Sequence, residues 1–225
     1  MKKELEYAHL RIKTDRKVEE NGEKLRGFFA NKFDEDSIVH HHTDGNKLVY
    51  SYPKVQYSIV EGEPIVTGLQ EGKEAVVKML DCCDELKLGG NEYKIENWSL
   101  DVGSSQFGLT REQHYYSFVT PWLALNSENY EKYKKMDDWE DRKKLLNSIL
   151  TGNILSAAQG FNIVVENEIY VHTHLYQDFV EFKGMKFKGF TGKFKANFEL
   201  PELIGLGKGV SRGFGKIIKR KKGKN

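Results

Sequence analysis

Residues 205–215 read GLGKGVSRGFG, and this stretch decides how the rest of the chain is interpreted. Its glycines permit positive φ angles and let the backbone come very close to a ligand. Lys208, Ser211 and Arg212 add groups that bind phosphate. A dinucleotide-binding loop would need a following helix and an acidic residue about 20 positions further on, and only ten residues follow position 215. We therefore expect a basic loop that lies against a polynucleotide backbone. The alternative is a flexible glycine turn before a last strand.

The charge of the chain is unevenly distributed. Residues 183–225 contain 13 Lys and Arg and two acidic residues, a net charge of +11, whereas the whole chain carries +2 and the first 182 residues therefore −9. A basic region in a nearly neutral chain is typical of a nucleic-acid-binding surface, although Arg220–Asn225 could also form a solvated lysine tail. The contacts predicted within the glycine-rich segment are Gly205, Gly207, Lys208, Gly209, Ser211, Arg212, Gly213 and Gly215.

Lysines and aromatic residues interleave just before that segment. In a strand, Lys186 and Lys188 share one face while Met185 and Phe187 share the other. With Lys193, these lysines are predicted to contact an RNA backbone. The alternative is an edge strand that its lysines protect against aggregation.

The composition excludes several classes of protein. Cys82 and Cys83 are the only cysteines and are adjacent, so they can form neither the disulfide framework of a secreted domain nor a four-ligand zinc site. No apolar run approaches the roughly 18–20 residues of a membrane span, and residues 1–6 lack the apolar region of a signal peptide. We expect a cytoplasmic protein without a membrane segment.

The periodicity of apolar residues predicts the fold. In the first half it predicts a strand at Leu5–Lys13, a helix capped by Thr14 or Asp15, strands at Val55–Val60 and Pro64–Leu69, a helix at Gly72–Leu86 and a strand at Tyr93–Val102. This is the βαββαβ order of a ferredoxin-like domain. The second half has a strand, a long charged helix at Ser127–Leu150 and further strands. We predict an α+β fold of two tandem ferredoxin-like (RRM-like) domains, 1–103 with a histidine loop and 104–225 with the glycine-rich segment and basic tail.

Three features together resemble a known family. The first helix contains Leu25-Arg26-Gly27, a histidine cluster at positions 40–42 follows, and residues 50–57 read YSYPKVQY. With the glycine-rich segment, they resemble the CRISPR-associated endoribonucleases that cut repeat RNA into guide RNAs, within the repeat-associated mysterious protein superfamily. The resemblance implies metal-independent cleavage by the 2′-hydroxyl, which leaves a cyclic phosphate and a 5′-hydroxyl. It implies no cofactor and CRISPR repeat RNA as the partner, with a homodimer or an interference complex as open assembly states.

The resemblance places the catalytic histidine after the first helix. Histidine can serve as base and acid near neutrality because its unperturbed pKa is about 6.5. His40 and His42 project to one side of an extended chain, and His41 to the other. We predict His40 and His42 as base and acid in either order, with His41 in reserve. Lys32 would stabilise charge on the phosphate, and Tyr50 would orient the substrate or donate a proton.

Two alternatives remain open from the sequence. One is a non-catalytic RNA-binding subunit of a CRISPR interference complex, which needs the basic surface but not the histidines. The other is a metal-dependent nuclease in which His172 and His174, which alternate on a strand, join the histidine cluster as ligands. We expect no metal. His172 and His174 could instead touch RNA or fill a strand face, and we expect the latter.

Overall fold

The computed structural model describes residues 2–33, 52–182 and 184–221. The chain forms two compact units. The N-terminal unit consists of residues 4–105 and 210–213, and the C-terminal unit of residues 1–3, 106–209 and 214–225. His40, His41, His42 and Tyr50 lie outside the described residues.

The N-terminal unit combines antiparallel strands with two helices. Its elements are β1 (Lys2–Thr14), α1 (Gly22–Lys32), β2 (Val55–Val60), β3 (Glu63–Leu69), α2 (Gly72–Val77), β4 (Glu85–Leu88) and the first part of β5 (Asn91–Trp122). The strands follow the order β2-β3-β1-β5, in which β3 pairs antiparallel with both β1 and β2. Strand β4 forms an antiparallel hairpin with β5.

Helix α1 packs its buried side on this sheet. Leu25 and Phe29 are fully buried and lie one turn apart on the helix, and the Phe29 ring stacks 5.9 Å from the Tyr57 ring of β2. The helix begins at Gly22 because the Asn21 side chain accepts hydrogen bonds from the amides of Glu23 and Lys24. The predicted cap at Thr14 or Asp15 is therefore wrong.

The second predicted helix is shorter than expected. Helix α2 ends at Val77, and the chain turns through Asp81, whose φ angle is 54°. Residues 85–88 then form β4, because Leu86 and Leu88 alternate with charged residues and are both buried. The single helix predicted over Gly72–Leu86 is therefore a helix, a turn and the start of a strand.

The C-terminal unit is also mixed α/β. Its further elements are α3 (Ser127–Lys135), α4 (Trp139–Gly160), β6 (Val171–Phe182), β7 (Met185–Glu199) and β8 (Ile217–Arg220). Strand β7 lies between β6 and β5 and pairs antiparallel with both. Strand β8 also pairs antiparallel with β5. The single helix predicted over Ser127–Leu150 is two helices, since Asn126 caps the first of them and a second begins at Trp139. No helix among the described residues is long and apolar enough to cross a membrane.

Two glycines of α1 give a matched test of this packing. An added Cβ at Gly22 would lie 2.5 Å from the Tyr57 carbonyl oxygen and 2.7 Å from that of Arg212, whereas nothing lies within 4 Å of one at Gly27. We expect Gly22→Ala to lower the free energy of unfolding by about 1–3 kcal/mol through overpacking. Gly27→Ala should raise it by about 0.5–1 kcal/mol, because alanine is the better helix former. Urea denaturation measures both, and equal effects would contradict the proposed packing.

Candidate functional site

An open groove of about 680 Å³ runs along the exposed side of α1 in the N-terminal unit. The helix lines it with Lys24, Phe28 and Lys32, and the hairpin of β4 and β5 adds Lys87 and Gly89. Lys87 is neutralised by Glu85 and Glu92, at 2.9 Å and 3.1 Å. The exposed lysines of the helix therefore give the groove much of its positive character.

Lys32 ends α1 and lies at one end of this groove. It is the one predicted catalytic residue within the described part of the chain, and His40–His42 follow it in sequence. Its charge also acts on Cys82, where burial raises the pKa of the thiol to about 12 and Lys32 partly opposes that rise. A cation at this position can stabilise a phosphate that gains negative charge during a reaction.

The glycines of the 205–215 segment allow the chain to pack on itself. A Cβ at Gly215 would overlap the Leu206 carbonyl oxygen, and one at Gly207, whose φ is 87°, would lie 2.6 Å from the Trp122 indole nitrogen. Gly205 forms an antiparallel bridge with Lys216. Four of the five glycines have the expected positive φ angles, whereas Gly205 does not, and the close approach that they permit is to this chain itself.

The tip of the segment belongs to the N-terminal unit. Residues 210–212 form one 3-10 turn, and Arg212 donates a hydrogen bond of 2.8 Å from Nη1 to Oε1 of Glu23. Glu23 also lines the α1 groove. Arg212 and Lys32 therefore mark opposite ends of the helix, about 14 Å apart along its axis at 1.5 Å per residue.

The structure separates the predicted RNA-binding lysines. Lys188 Nζ lies 5.1 Å from the centre of the Tyr133 ring, and Lys208 Nζ lies 4.9 Å from that of Phe187. Lys186 is exposed and pairs opposite Glu181. Lys193 is an odd number of residues away from Lys186 and from Lys188 along β7. Because successive side chains of a strand point to opposite faces, Lys193 points to the other face of the sheet.

Lys193 belongs to a cross-strand row that the sequence did not indicate. It pairs with His174 of β6 and Ser117 of β5. His172 and His174 do occupy a strand face, as expected, but they occupy its exposed side. Among the residues that the structure describes, no cluster of three or more His, Cys, Asp or Glu could hold a metal ion.

Lys216 is a basic residue of the glycine-rich region that faces the interior. It is fully buried, and its Nζ donates a hydrogen bond of 2.7 Å to the Leu203 carbonyl. Burial lowers the pKa of this ammonium group well below its ordinary value. Only part of the basic region is thus available at the surface.

The buried Lys216 predicts a pH-dependent stability. Below the ordinary lysine pKa of about 10.4, the unfolded chain binds more protons at this group than the folded protein does, so the free energy of unfolding rises with pH. We expect wild type to gain stability relative to Lys216→Met between the lowered pKa and about pH 10. Urea titrations at several pH values measure the difference. A difference that stays constant with pH would contradict a lowered pKa.

The α+β architecture of this chain is shared with solved Cas6-type structures. A crystal structure of Cas6b matches it with a TM-score of 0.86 and 35% identity, over 97% of this chain and 100% of that one. The CRISPR RNA processing endoribonuclease Cas6b matches with a TM-score of 0.75 and 31% identity, over the same shares. An uncharacterized protein of Methanocaldococcus jannaschii is 41% identical over 136 residues, which are 60% of this chain and 92% of that protein.

Family models cover both halves of the chain. Residues 3–106 match the Cas6b N-terminal domain, and residues 108–220 match the Cas6b C-terminal domain. The chain therefore belongs to the Cas6b family. The resemblance drawn from the glycine-rich segment and the front half is confirmed at the level of the family.

Proposed function

We propose that this protein is a metal-independent endoribonuclease that cleaves CRISPR repeat RNA to generate guide RNAs. The observation that carries the proposal is membership of the Cas6b family over both halves, together with 31% identity to a CRISPR RNA processing endoribonuclease. The α1 groove supports it, because cationic side chains line an open surface that ends at Lys32. We also propose that domains 1–103 and 104–225 are both ferredoxin-like.

The proposed reaction is an internal displacement at phosphorus. One histidine of the pair His40 and His42 takes the proton from the 2′-hydroxyl, whose oxygen then bonds to the adjacent phosphorus. The bond from phosphorus to the 5′-oxygen breaks, and the other histidine donates a proton to that leaving oxygen. The products are a 2′,3′-cyclic phosphate and a 5′-hydroxyl. Lys32 stabilises the charge of the crowded phosphorane, and Tyr50 orients the reacting groups.

Binding of the substrate is assigned to other residues. Arg212 lies beside the start of α1, and the exposed Lys208 lies on aromatic rings of the C-terminal unit. Cations at these positions attract the phosphate backbone without reading sequence. The RNA is therefore held by contacts distinct from the residues that move protons.

The histidine assignment has a direct test. His40→Ala and His42→Ala should each lower the single-turnover cleavage rate by about 10²–10⁴-fold, the range for loss of a general acid or base. RNA affinity should stay nearly unchanged. Cleavage should persist in EDTA and stop when the nucleotide 5′ of the cut carries a 2′-deoxyribose. A panel of CRISPR repeats with mapped product ends provides the measurement.

The same assay separates the alternatives. His41→Ala should cleave faster than either variant above, and Lys13→Ala, which removes an exposed lysine paired with Glu96, should cleave like wild type. Normal cleavage by both His40→Ala and His42→Ala would place the site elsewhere. Loss of cleavage in EDTA would indicate a metal-dependent nuclease, and tight binding without product would indicate a non-catalytic subunit.

The binding assignment predicts a change in salt dependence. Lys208→Ala and Arg212→Ala should each weaken RNA binding and reduce the slope of log affinity against log salt by about 0.7–0.9, the value of one phosphate contact. The cleavage rate at saturating RNA should change little. Glu23→Gln, which removes the acidic partner and keeps Arg212, should not reduce the slope. Weaker binding with an unchanged slope would contradict a phosphate contact.

A further inference from the structure

One face of the C-terminal sheet brings together residues from four separate parts of the sequence. Across the strands, His172 pairs with Lys195, Lys195 with Tyr115, and Tyr115 with Arg220. Paired residues of neighbouring strands point to the same side of a sheet, so these four side chains share one row, about 14 Å wide at 4.8 Å per strand. We call this side, with His174, Lys193 and Tyr176, the open sheet face.

The open sheet face is strongly positive. It forms a groove of about 690 Å³ that is lined by Lys193, Lys195, Arg220 and Lys221 with His172 and His174, while Lys219, which also lines it, pairs with Glu199 at 2.6 Å. None of the described residues that line this groove is acidic. Arg220 is held across the groove, because its Nε donates a hydrogen bond of 3.0 Å to Oγ of Ser117. Such a surface favours an anionic partner over a neutral or cationic one.

The same face also presents rings. The rings of His174 and Tyr176 meet edge to face at 5.4 Å, and Nε2 of His174 shares a hydrogen bond of 3.0 Å with the Tyr176 hydroxyl. Tyr176 is nonetheless 63% exposed. Tyr115, which is half-buried, contributes a further ring on this face. The hydrogen bond between His174 and Tyr176 orients these two rings relative to each other.

We propose that the open sheet face binds unpaired nucleotides of the RNA, with bases stacked on His172, His174 and Tyr176 and phosphates on Lys193, Lys195 and Arg220. Sheets that carry aromatic and basic residues recognise single strands in this way, since a paired base hides its face inside the duplex. That the ligand of the open sheet face is RNA rests on the proposed function. Binding of a single strand to this face does not require that the protein cleave RNA.

The test measures binding of a probe that is not the cognate repeat. A fluorescently labelled single-stranded oligouridylate of about ten nucleotides, within the site sizes of single-strand binders, is titrated with the full chain by anisotropy. A duplex RNA of equal length is the comparison. The double variant His172→Ala and His174→Ala, and separately Tyr176→Ala, should bind the single strand at least about 5-fold more weakly, the smallest effect of a lost base stack. Duplex binding should change less.

Two matched variants control for general effects. Phe179→Ala removes an exposed aromatic ring from the opposite face of β6, and Lys135→Ala removes an exposed charge from α3. Both should bind the single strand like wild type, whereas Lys193→Ala should weaken binding and reduce the salt slope by about 0.7.

The outcomes separate this inference from the proposed function. Wild-type affinity of the histidine and Tyr176 variants for the single strand would overturn it, even if the protein cleaves repeat RNA. Equal losses for single strand and duplex would also overturn it, because they would indicate a general polyanion surface that an acidic protein could equally occupy. Absence of repeat cleavage with selective loss of single-strand binding would refute the endoribonuclease and retain the open sheet face.

Discussion

The close approach of three backbone segments in the N-terminal unit is the constraint on which the candidate site depends. The start of α1, the strand β2 and the tip at residues 210–213 meet where Gly22 and Gly213 lack side chains. A Cβ added at Gly213 would lie 2.9 Å from the Tyr57 carbonyl oxygen, and a Cβ added at Gly22 would lie 2.5 Å from the same oxygen. Carbonyl groups occupy that space instead. This packing fixes Arg212 beside Glu23 and fixes the start of the helix that ends at Lys32.

The basic C-terminal region does not act as one patch. Lys216 is buried in the core, and Lys188 and Lys208 lie over aromatic rings. Lys219 pairs with Glu199 at 2.6 Å, and Arg212 pairs with Glu23. Lysines over rings and in ion pairs still attract phosphate, but their positions are set by the protein. The net charge of this region is thus divided between structural roles and separate surfaces, and the described residues that line the open sheet face include no acidic one.

The sequence was informative where neighbouring residues act together. It predicted the first strand, the order of the elements from β1 to α2 and the family, because these depend on local periodicity and on compact motifs, but it assigned the start of β4 to the second helix. It misplaced the start of α1, since the capping group Asn21 lies beyond Thr14 and Asp15. It could not indicate the open sheet face, because Tyr115, His172 and Arg220 come together only through strand register. Catalytic roles of His40, His42 and Tyr50 stay predictions.

The tip at residues 210–213 has a consequence for how such a chain can change over time. Residues 210–213, which lie in the second half of this sequence, complete a unit that the first half forms. Recombination that joined the first half to a different second half would leave α1 without the peptide that packs on Gly22 and without the partner of Glu23. The space available at Gly22 and Gly213 is therefore set by residues that are distant in sequence.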